Sequence, residues 1–414
     1  MEDDDHSPPH DDGLSSVEHP YFQMVLIPPP IHPDDPGPLP GSILIDPEGY
    51  ISDRTNDTTA DGFTKDGKLI QVTFWAAHPP RASFFTVKLD RSAIGDMPMI
   101  LCTDEDLVLL RVPICRPRCN FHPEDNAFLV YQAGTKDKRP SLQLIPPPPV
   151  LIFSDTNAGL LRYRSRRRNI YYVALLCRAS GDGQYNLHLL DSKSMSWSNK
   201  LMFIDSPEAE KYTYSSKVIA IGGERGSVGW VDLWRGILVC DLLRNSNRLR
   251  YIPLPSPIVP NKLLLGGPPS RDRDISVVGK EYIKYFDMQL YTGPGPVAEG
   301  WEAAVWRRKV SSTEWEEDCR MKVSNDLALP DPIGPTLKGT YSGFPALSLH
   351  DDDVVYVMDR NDLLDRNASV IAVDMRKKTV KGMADVGSPR PLGYSYVYFQ
   401  SAISKYLGLW SSTR

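Results

Sequence analysis

The sequence predicts an all-β protein, organised as a β-propeller-like array of antiparallel hairpins. Short runs rich in Val, Ile, Leu, Tyr and Phe alternate with clusters of Gly, Pro, Asp and Asn, as strands alternate with turns. Proline accounts for 37 of the 414 residues, about 9% against a typical level of about 5%, and it is poorly tolerated inside helices. A strand–turn–strand unit also recurs at roughly 40–65-residue intervals, close to the period of propeller blades.

Individual strands are predicted from residue 42 onward, wherever an apolar run is bounded by turn-forming residues. They cover 42–46, 68–77, 83–89, 106–114, 127–133, 141–145, 169–179, 185–191, 217–223, 227–233, 236–243, 249–254, 301–308, 345–349, 353–359, 369–375 and 394–399. The single helical prediction is 401–407, because few stretches keep apolar residues at helical spacing for three turns. A propeller would leave few exposed strand edges, but the repeats are loosely similar, so paired β-sandwiches are the alternative fold.

The chain divides into a short tail and one large domain. Residues 1–40 are acidic and proline-rich, and they are predicted to be a disordered tail. Residues 41–410 are predicted to form the β-propeller-like domain. The first residues lack the basic start and apolar stretch of a secretory signal, and no apolar run approaches the ~18–20 residues of a membrane helix. We therefore expect an intracellular protein, cytoplasmic or nuclear, that is not secreted and has no membrane partner.

The sharpest local motif is WVDLWRG, which the flanking strands place in a hairpin. Trp230 and Trp234 flank Asp232, and Gly236 permits a tight turn. In the structural interpretation, which we favour, the tryptophans pack between sheets and Asp232 accepts hydrogen bonds from turn amides. In the functional interpretation, Trp234 and Arg235 form part of an interaction surface.

The segment RYRSRRR is the only dense basic run. Its arginines Arg162, Arg164, Arg166, Arg167 and Arg168 are a candidate nuclear localisation signal or phosphate-contacting patch. The alternative is a solvated loop between strands, which the formal net charge of −5 favours because the chain has no global positive field. No aromatic ladder accompanies the run, so nucleic acid is not an expected partner.

The cysteines indicate a reducing compartment and no metal site. Cys177 and Cys240 lie within apolar runs and are expected to be small, buried, hydrophobic residues. Cys115, Cys119 and His122 have the spacing C-x3-C-x2-H, which supplies three of the four ligands of a closed zinc site. No second paired motif supplies the fourth ligand, so free thiols in a loop are expected.

Other motifs predict neither a cofactor nor a catalytic centre. The glycine-rich segment 222–229 precedes a strand, whereas a dinucleotide fingerprint requires a helix at its last glycines. The acidic segment 350–356 lacks the ligand spacing of a calcium loop and is expected to be a charged turn. The eight histidines are dispersed, and no Ser–His–Asp or paired-carboxylate arrangement emerges. The sequence therefore favours a protein without a cofactor and without catalytic activity.

Several phrases along the chain are shared with one known family. The longest are GWVDLWRGILVCDLL at 229–243 and RYIPLP at 250–255. The others are AAHPPRASFFTV (76–87), LVYQAG (129–134), SLQLIPPPP (141–149), YNLHLLDSKSMSWS (185–198), FPALSLHDDDVVYVM (344–358) and VIAVDMR (370–376). Together they resemble a plant family known as domain of unknown function 1618, which is expanded in grasses. The resemblance covers most of the chain after residue 40 and is strongest at 215–380.

The resemblance implies little about function, because that family has no established activity, ligand or catalytic residues. Some of its members occur together with F-box modules, and the blade-like repeats are similar to F-box-associated β-propeller domains. The acidic, proline-rich residues 1–40 do not fit a helical F-box. The resemblance therefore does not imply a ubiquitin-ligase adaptor here.

Three functions are compatible with these observations. The first is a non-catalytic protein-interaction module with an unidentified protein partner, because repeats without a reactive cluster favour binding through loops. The second is a carbohydrate-binding or hydrolytic propeller, which would need charged residues with perturbed pKa values converging on a central funnel. The third is a nuclear, nucleic-acid-associated factor, which depends on the basic run. The sequence favours the first function and leaves the partner, blade count and oligomeric state open.

Overall fold

The computed structural model of the chain describes residues 27–32, 37–89, 96–114, 125–150, 152–165, 169–259, 267–292, 298–323, 340–361, 368–386 and 398–410. Strands dominate these residues, which confirms the predicted all-β class. The helix α1 (Ser404–Leu407) lies inside the one segment predicted to be helical. The predicted tail lies outside the described residues except for 27–32 and 37–40. No helix in the described part of the chain is long and apolar enough to cross a membrane.

The strands group into six sheets, which we call blades 1 to 6. Blade 1 contains β1 (Ile43–Ile45), β2 (Tyr50–Ile51), β3 (Ala60–Phe63), β4 (Leu69–Trp75) and β5 (Ala82–Lys88). Blade 2 contains β6 (Met99–Asp104), β7 (Leu107–Pro113), β8 (Asn126–Gln132) and β9 (Ser141–Ile145). Blade 3 contains β10 (Ala158–Arg164), β11 (Asn169–Arg178), β12 (Gln184–Asp191) and β13 (Ser196–Ile204). Blade 4 contains β14 (Lys217–Gly222), β15 (Ser227–Asp232), β16 (Gly236–Asp241) and β17 (Arg248–Pro253).

The remaining strands follow the same plan. Blade 5 contains β18 (Arg273–Val278), β19 (Tyr282–Thr292), β20 (Ala298–Lys309) and β21 (Glu316–Val323). Blade 6 contains β22 (Tyr341–Leu347), β23 (Val354–Arg360), β24 (Ser369–Asp374) and β25 (Thr379–Asp385), and β26 (Phe399–Ser401) returns to blade 1. In blades 2 to 6, four consecutive strands pair antiparallel in chain order, and a short parallel pairing of β13 with β17 joins blades 3 and 4.

The six blades form a ring around a common centre. The first strands of blades 2 to 6 contact one another in turn, from β6 through β10, β14 and β18 to β22. Strand β26 contacts β22 and pairs antiparallel with β1, and the N–H of Ile100 at β6 donates to the carbonyl of Pro47 just after β1. Residues from all six blades line one central cavity. A ring of sheets around a cavity distinguishes a propeller from paired β-sandwiches, so the fold is a six-bladed β-propeller.

The hydrophobic core is divided into six clusters, one between each pair of neighbouring blades. One member from each cluster, starting between blades 1 and 2 and ending between blades 6 and 1, is Leu110, Val173, Trp230, Tyr285, Phe286 and Tyr356. Central strands are covered on both faces, so every residue of β15 is buried. This two-sided burial explains why the central strands contain continuous apolar runs rather than a strict alternation.

The strands that the sequence prediction misses lie mainly at the inner and outer ends of the blades. Absent from the prediction are the inner strands β6, β10 and β18, the outer strands β13, β21 and β25, and strands β2, β3 and β19. Inner strands carry polar and charged residues toward the cavity, and outer strand β13 is largely exposed, so neither has a clear apolar run. Arg162 and Arg164, for which a solvated loop was the alternative, belong to the inner strand β10.

Candidate functional site

The central cavity has a volume of about 990 Å³. Small-molecule sites in proteins occupy roughly 300–1,000 Å³, so this cavity is large enough for a ligand. Its wall includes one residue or more from each blade, among them Gln400, Cys102, Arg162, Ile219, Ser276 and Leu349. The ring of inner strands therefore brings residues that are far apart in the chain to a single concave surface.

Acidic residues of the cavity come from the hairpin between β6 and β7. Asp104 is half-buried in the cavity wall, and its Oδ2 accepts a 2.6 Å hydrogen bond from the N–H of Arg162. Burial raises the pKa of Asp104 to about 7; the hydrogen bond from Arg162 opposes this rise, and the negative charge of Glu105 adds to it. Near neutral pH the Asp104 carboxyl is therefore a hydrogen-bond donor and acceptor within the cavity.

Two arginines of β10 form ion pairs with Asp106, the third acidic residue of the hairpin. Asp106 lies 3.3 Å from Arg162 Nη2 and 2.7 Å from Arg164 Nη2, and it also accepts a hydrogen bond from Gln132. The Arg162 and Asp106 side chains are only 4% and 5% exposed, so this ion pair is shielded from solvent. Burial lowers the pKa of Arg162, and the carboxylate of Asp106 opposes that shift. The pair fixes one edge of the cavity wall.

The cavity wall also carries polar atoms that the described residues leave without a hydrogen-bond partner. They are both amide atoms of Gln400, on β26, and Nε of Arg162. Gln400 is 8% exposed and Arg162 is 9% exposed. Leaving a buried donor or acceptor unsatisfied costs about 1–3 kcal/mol, so such groups in native proteins are usually satisfied by water or ligand. These three atoms are themselves covered by protein, so a ligand in the cavity reaches them only if the side chain of Gln400 or Arg162 rotates.

Other parts of the wall supply charge compensation and apolar surface. Lys217 Nζ lies 2.7 Å from Asp274 Oδ1, and the second oxygen of Asp274 accepts a hydrogen bond from the N–H of Leu347. Tyr163 and Tyr406 are also among the residues that line the cavity. The wall therefore combines hydrogen-bonding residues with aromatic residues, which is the usual composition of a small-molecule site.

The WVDLWRG hairpin has a structural role at two blade interfaces. Trp230 is fully buried, and its Nε1–H donates a 2.8 Å hydrogen bond to the carbonyl of Asn157 in blade 3. The Trp234 ring lies 4.4 Å from the guanidinium of Arg273 in blade 5. Asp232 Oδ1 accepts the N–H of Trp234, as the structural interpretation predicted. Neither tryptophan is among the residues that line the cavity.

The remaining predicted residues are distributed as follows. Arg235 is bound to Asp232 and Thr213, so the interaction surface at Trp234 and Arg235 stays a prediction. Arg162 and Arg164 line the cavity. Residues that lie outside the described part of the chain are Arg166, Arg167, Arg168, Cys115, Cys119 and His122. The nuclear signal therefore stays a prediction. Among the described residues, no group of three or more His, Cys, Asp or Glu side chains could hold a metal ion.

Sequence reasoning missed the acidic hairpin and Gln400. In the sequence, residues 104–106 are an ordinary charged turn between two apolar runs, and a single glutamine carries no motif. The signal that could have found the hairpin is its alignment with Arg162 and Arg164 on the inner edge of the next blade. That alignment requires the blade boundaries, which the prediction did not have.

The fold and the cavity define a six-bladed β-propeller with a ligand-sized central cavity. Residues 230–356 match the family described as "Protein of unknown function (DUF1618)", which confirms over those residues the resemblance seen in the sequence. The plant origin and the F-box association implied by the resemblance stay predictions. No curated protein matches the sequence.

Solved structures resemble the chain only distantly. An alpha-L-arabinanase from Penicillium chrysogenum is 9% identical and has a TM-score of 0.29, with 84% of this chain and 99% of that chain covered. A post-proline cleaving enzyme from Rickettsia typhi is 10% identical with a TM-score of 0.27, with 80% and 38% covered. The alpha-L-arabinofuranosidase Arb93A from Fusarium graminearum is 9% identical with a TM-score of 0.28, with 83% and 96% covered. At these TM-scores the similarities carry no argument about this chain.

Proposed function

We propose that the protein is a non-catalytic binding module whose central cavity takes a small, uncharged, hydroxyl-rich molecule of the carbohydrate class. The observation that carries this proposal is the set of unsatisfied buried polar atoms on Gln400 and Arg162. Both residues line the cavity of about 990 Å³. A ligand with many hydroxyl groups can donate to the Gln400 oxygen and accept from the two nitrogens, because each hydroxyl does both.

The charges of the cavity favour an uncharged ligand. Arg162 and Arg164 are paired with Asp106, and Lys217 is paired with Asp274. A ligand with a full charge would have to compete with these ion pairs for compensation of its charge. Because uncompensated burial of a charge costs several kcal/mol, an uncharged polar ligand fits better.

The aromatic residues of the wall support the same ligand class. Tyr163 and Tyr406 line the cavity beside its polar residues. A sugar ring has apolar C–H faces and polar edges, so it can contact an aromatic ring and form hydrogen bonds at the same time.

Binding is a better proposal than hydrolysis because only one carboxyl group of the acidic hairpin 104–106 meets the chemical requirements. Glycoside hydrolysis uses two carboxyl groups on opposite sides of the scissile bond. Asp104, with a pKa of about 7, would suit the acid. Glu105 and Asp106 are each held by two cationic side chains, which leaves neither available as a nucleophile or base.

The test is titration of the full chain with neutral saccharides, monitored by saturation-transfer NMR and calorimetry. The neutral probes are glucose, galactose, arabinose, sucrose and cellobiose, and the charged probe is glucuronate. We expect at least one neutral saccharide to bind and glucuronate to bind more weakly. Gln400→Leu, which keeps the side-chain volume, is expected to weaken binding about tenfold through the loss of two hydrogen bonds.

The matched control for this test is Gln71→Leu on β4, because Gln71 donates to Asp61 and does not line the cavity. Its affinity for saccharides is expected to equal that of the unaltered protein. Failure of every neutral probe to bind, or preference for glucuronate, would overturn the proposal. Release of new reducing ends from a bound disaccharide would show that the protein hydrolyses its ligand, and the proposal of a non-catalytic binding module would then be wrong.

The sequence analysis favoured a protein partner, and that prediction is compatible with a ligand in the cavity. Loops of a propeller can bind a protein while its centre binds a small molecule. The cavity offers specific residues to test, whereas the described surface offers no argument for a particular protein. A small polar ligand is therefore our first proposal.

A further inference from the structure

Three charged side chains, which we call the strap, form a bridge over the mouth of the cavity: Arg164, Glu105 and Lys280. The Glu105 carboxylate contacts both the guanidinium of Arg164 and the ammonium of Lys280. Glu105 belongs to blade 2, Arg164 to blade 3 and Lys280 to blade 5. In a ring of six, blades 2 and 5 face each other, so the contact between Glu105 and Lys280 spans the opening.

The backbone at the rim supports this bridge. Glu105 and Lys280 lie at the tips of the β6–β7 and β18–β19 hairpins, with left-handed φ angles of 52° and 61°. Blade 4 lies between the strap's blades 3 and 5, and its tip carries Gly222 and Gly223. A Cβ atom at either glycine would meet no heavy atom within 4 Å, so the tip of blade 4 is surrounded by open space.

The two ends of the strap differ in how firmly they are held. Arg164 also pairs with Asp106, whose side chain is only 5% exposed. The side chain of Lys280 is 70% exposed, and Glu105 is its one ion-pair partner among the described residues. Exposed ion pairs contribute about 0–1 kcal/mol and are screened by salt. Lys280 is therefore the part of the strap that can release while Arg164 and Glu105 stay together.

We propose that the strap is a gate, and that small molecules enter the cavity faster when Lys280 leaves Glu105. Ionic strength controls the gate, because salt weakens an exposed ion pair while it leaves the buried pair of Arg162 and Asp106 largely intact. The gate concerns access to the cavity and holds for any small molecule that enters. It therefore stands or fails independently of the carbohydrate proposal.

Cys102 provides a reporter of access, because this buried free cysteine lines the cavity as well as the core cluster between blades 2 and 3. Burial raises the pKa of this thiol, so labelling is carried out at alkaline pH with iodoacetamide, a small uncharged reagent. Mass spectrometry follows the modification of Cys102 relative to Cys240. Cys240 is a matched reference, because it is buried in the core cluster between blades 3 and 4 and lines a different pocket, so its labelling does not depend on the strap.

Lys280→Met is expected to label Cys102 about fivefold faster than the unaltered protein, the change that corresponds to loss of an ion pair worth about 1 kcal/mol. High salt is expected to accelerate labelling of the unaltered protein and to leave the variant unchanged. Lys280→Arg keeps the positive charge and is expected to restore slow, salt-dependent labelling.

Lys405→Met is the matched control, because Lys405 lines the same cavity and has no ion pair among the described residues. It is expected to label Cys102 at the rate of the unaltered protein. The gate would be refuted by an unchanged Cys102 rate in Lys280→Met. Equal acceleration of Cys102 and Cys240 would refute it as well, because that result means general loosening of the fold.

Discussion

Two regions of the molecule contain ion pairs of similar side chains in opposite surroundings. At the interface of blades 4 and 5, Arg273 Nε lies 2.9 Å from Asp287 Oδ1, and its Nη1 donates to the carbonyl of Leu233. These two charged side chains, which we call the buried pair, are 2% and 0% exposed. In the strap, Lys280 is 70% exposed. Both regions pair a cation with a carboxylate, and they differ chiefly in contact with water.

The difference indicates that burial decides whether an ion pair is permanent or releasable. If one partner leaves the buried pair, the other stays in a medium of low polarity without compensation, which costs about 3–5 kcal/mol. If Lys280 leaves the strap, water solvates its ammonium group while Glu105 stays paired with Arg164, and the cost is about 1 kcal/mol or less. The family match at 230–356 contains the whole buried pair and only Lys280 of the strap.

The largest effect is expected from breaking the buried pair. Arg273→Met is predicted to lower the free energy of unfolding by about 3–5 kcal/mol, because Asp287 would keep a buried negative charge without its paired cation. Urea denaturation monitored by tryptophan fluorescence measures the change. Arg320→Met removes a cation from exposed pairs with Glu302 and Glu317, and it is expected to cost less than about 1 kcal/mol. Equal costs for the two variants would contradict the comparison.

A pH-dependent effect of intermediate size is expected at Asp104. Its pKa rises from 3.8 to about 7 on folding, so the folded protein holds this proton more tightly than the unfolded chain does. The contribution to stability is present below pH 4 and is lost as the pH rises toward 7. Asp104→Asn removes this loss and still offers an acceptor to the N–H of Arg162.

Asp104→Asn is therefore predicted to raise the free energy of unfolding at pH 8 by up to about 4 kcal/mol relative to the unaltered protein. Near pH 4 the two proteins should be similar in this respect. Urea denaturation across this pH range measures the difference. A difference that does not vary with pH would exclude Asp104 as its source.

The smallest effect on stability is expected at the strap. Lys280→Met is predicted to change the free energy of unfolding by less than about 1 kcal/mol, and less still at high salt. Thermal denaturation at low and high ionic strength measures it. A loss as large as that of Arg273→Met would mean that the strap is a structural pair, and the comparison between the two regions would fail.

Much of the blade architecture could be predicted because the signals are local. Predicted strands 217–223, 227–233 and 236–243 correspond to β14, β15 and β16 within two residues at each end. Each lies between turn-forming residues that end the apolar run. The strands of the cavity wall were harder, because β10 and β18 carry charged residues that interrupt the apolar pattern. On β10, the charged residues that interrupt the pattern, Arg162 and Arg164, are the ones that line the cavity.

The sequence by itself determined that the chain forms antiparallel hairpins and that Trp230 is buried between sheets, since both follow from side-chain pattern over a few residues. Only the tertiary structure decided what the centre contains. Asp104, Arg162, Lys280 and Gln400 are spread over some 300 residues and belong to four blades. Their proximity depends on how many blades close the ring and on which residue of each inner strand faces the axis. Local propensity carries no information on either, because both are set by the packing of whole sheets against one another.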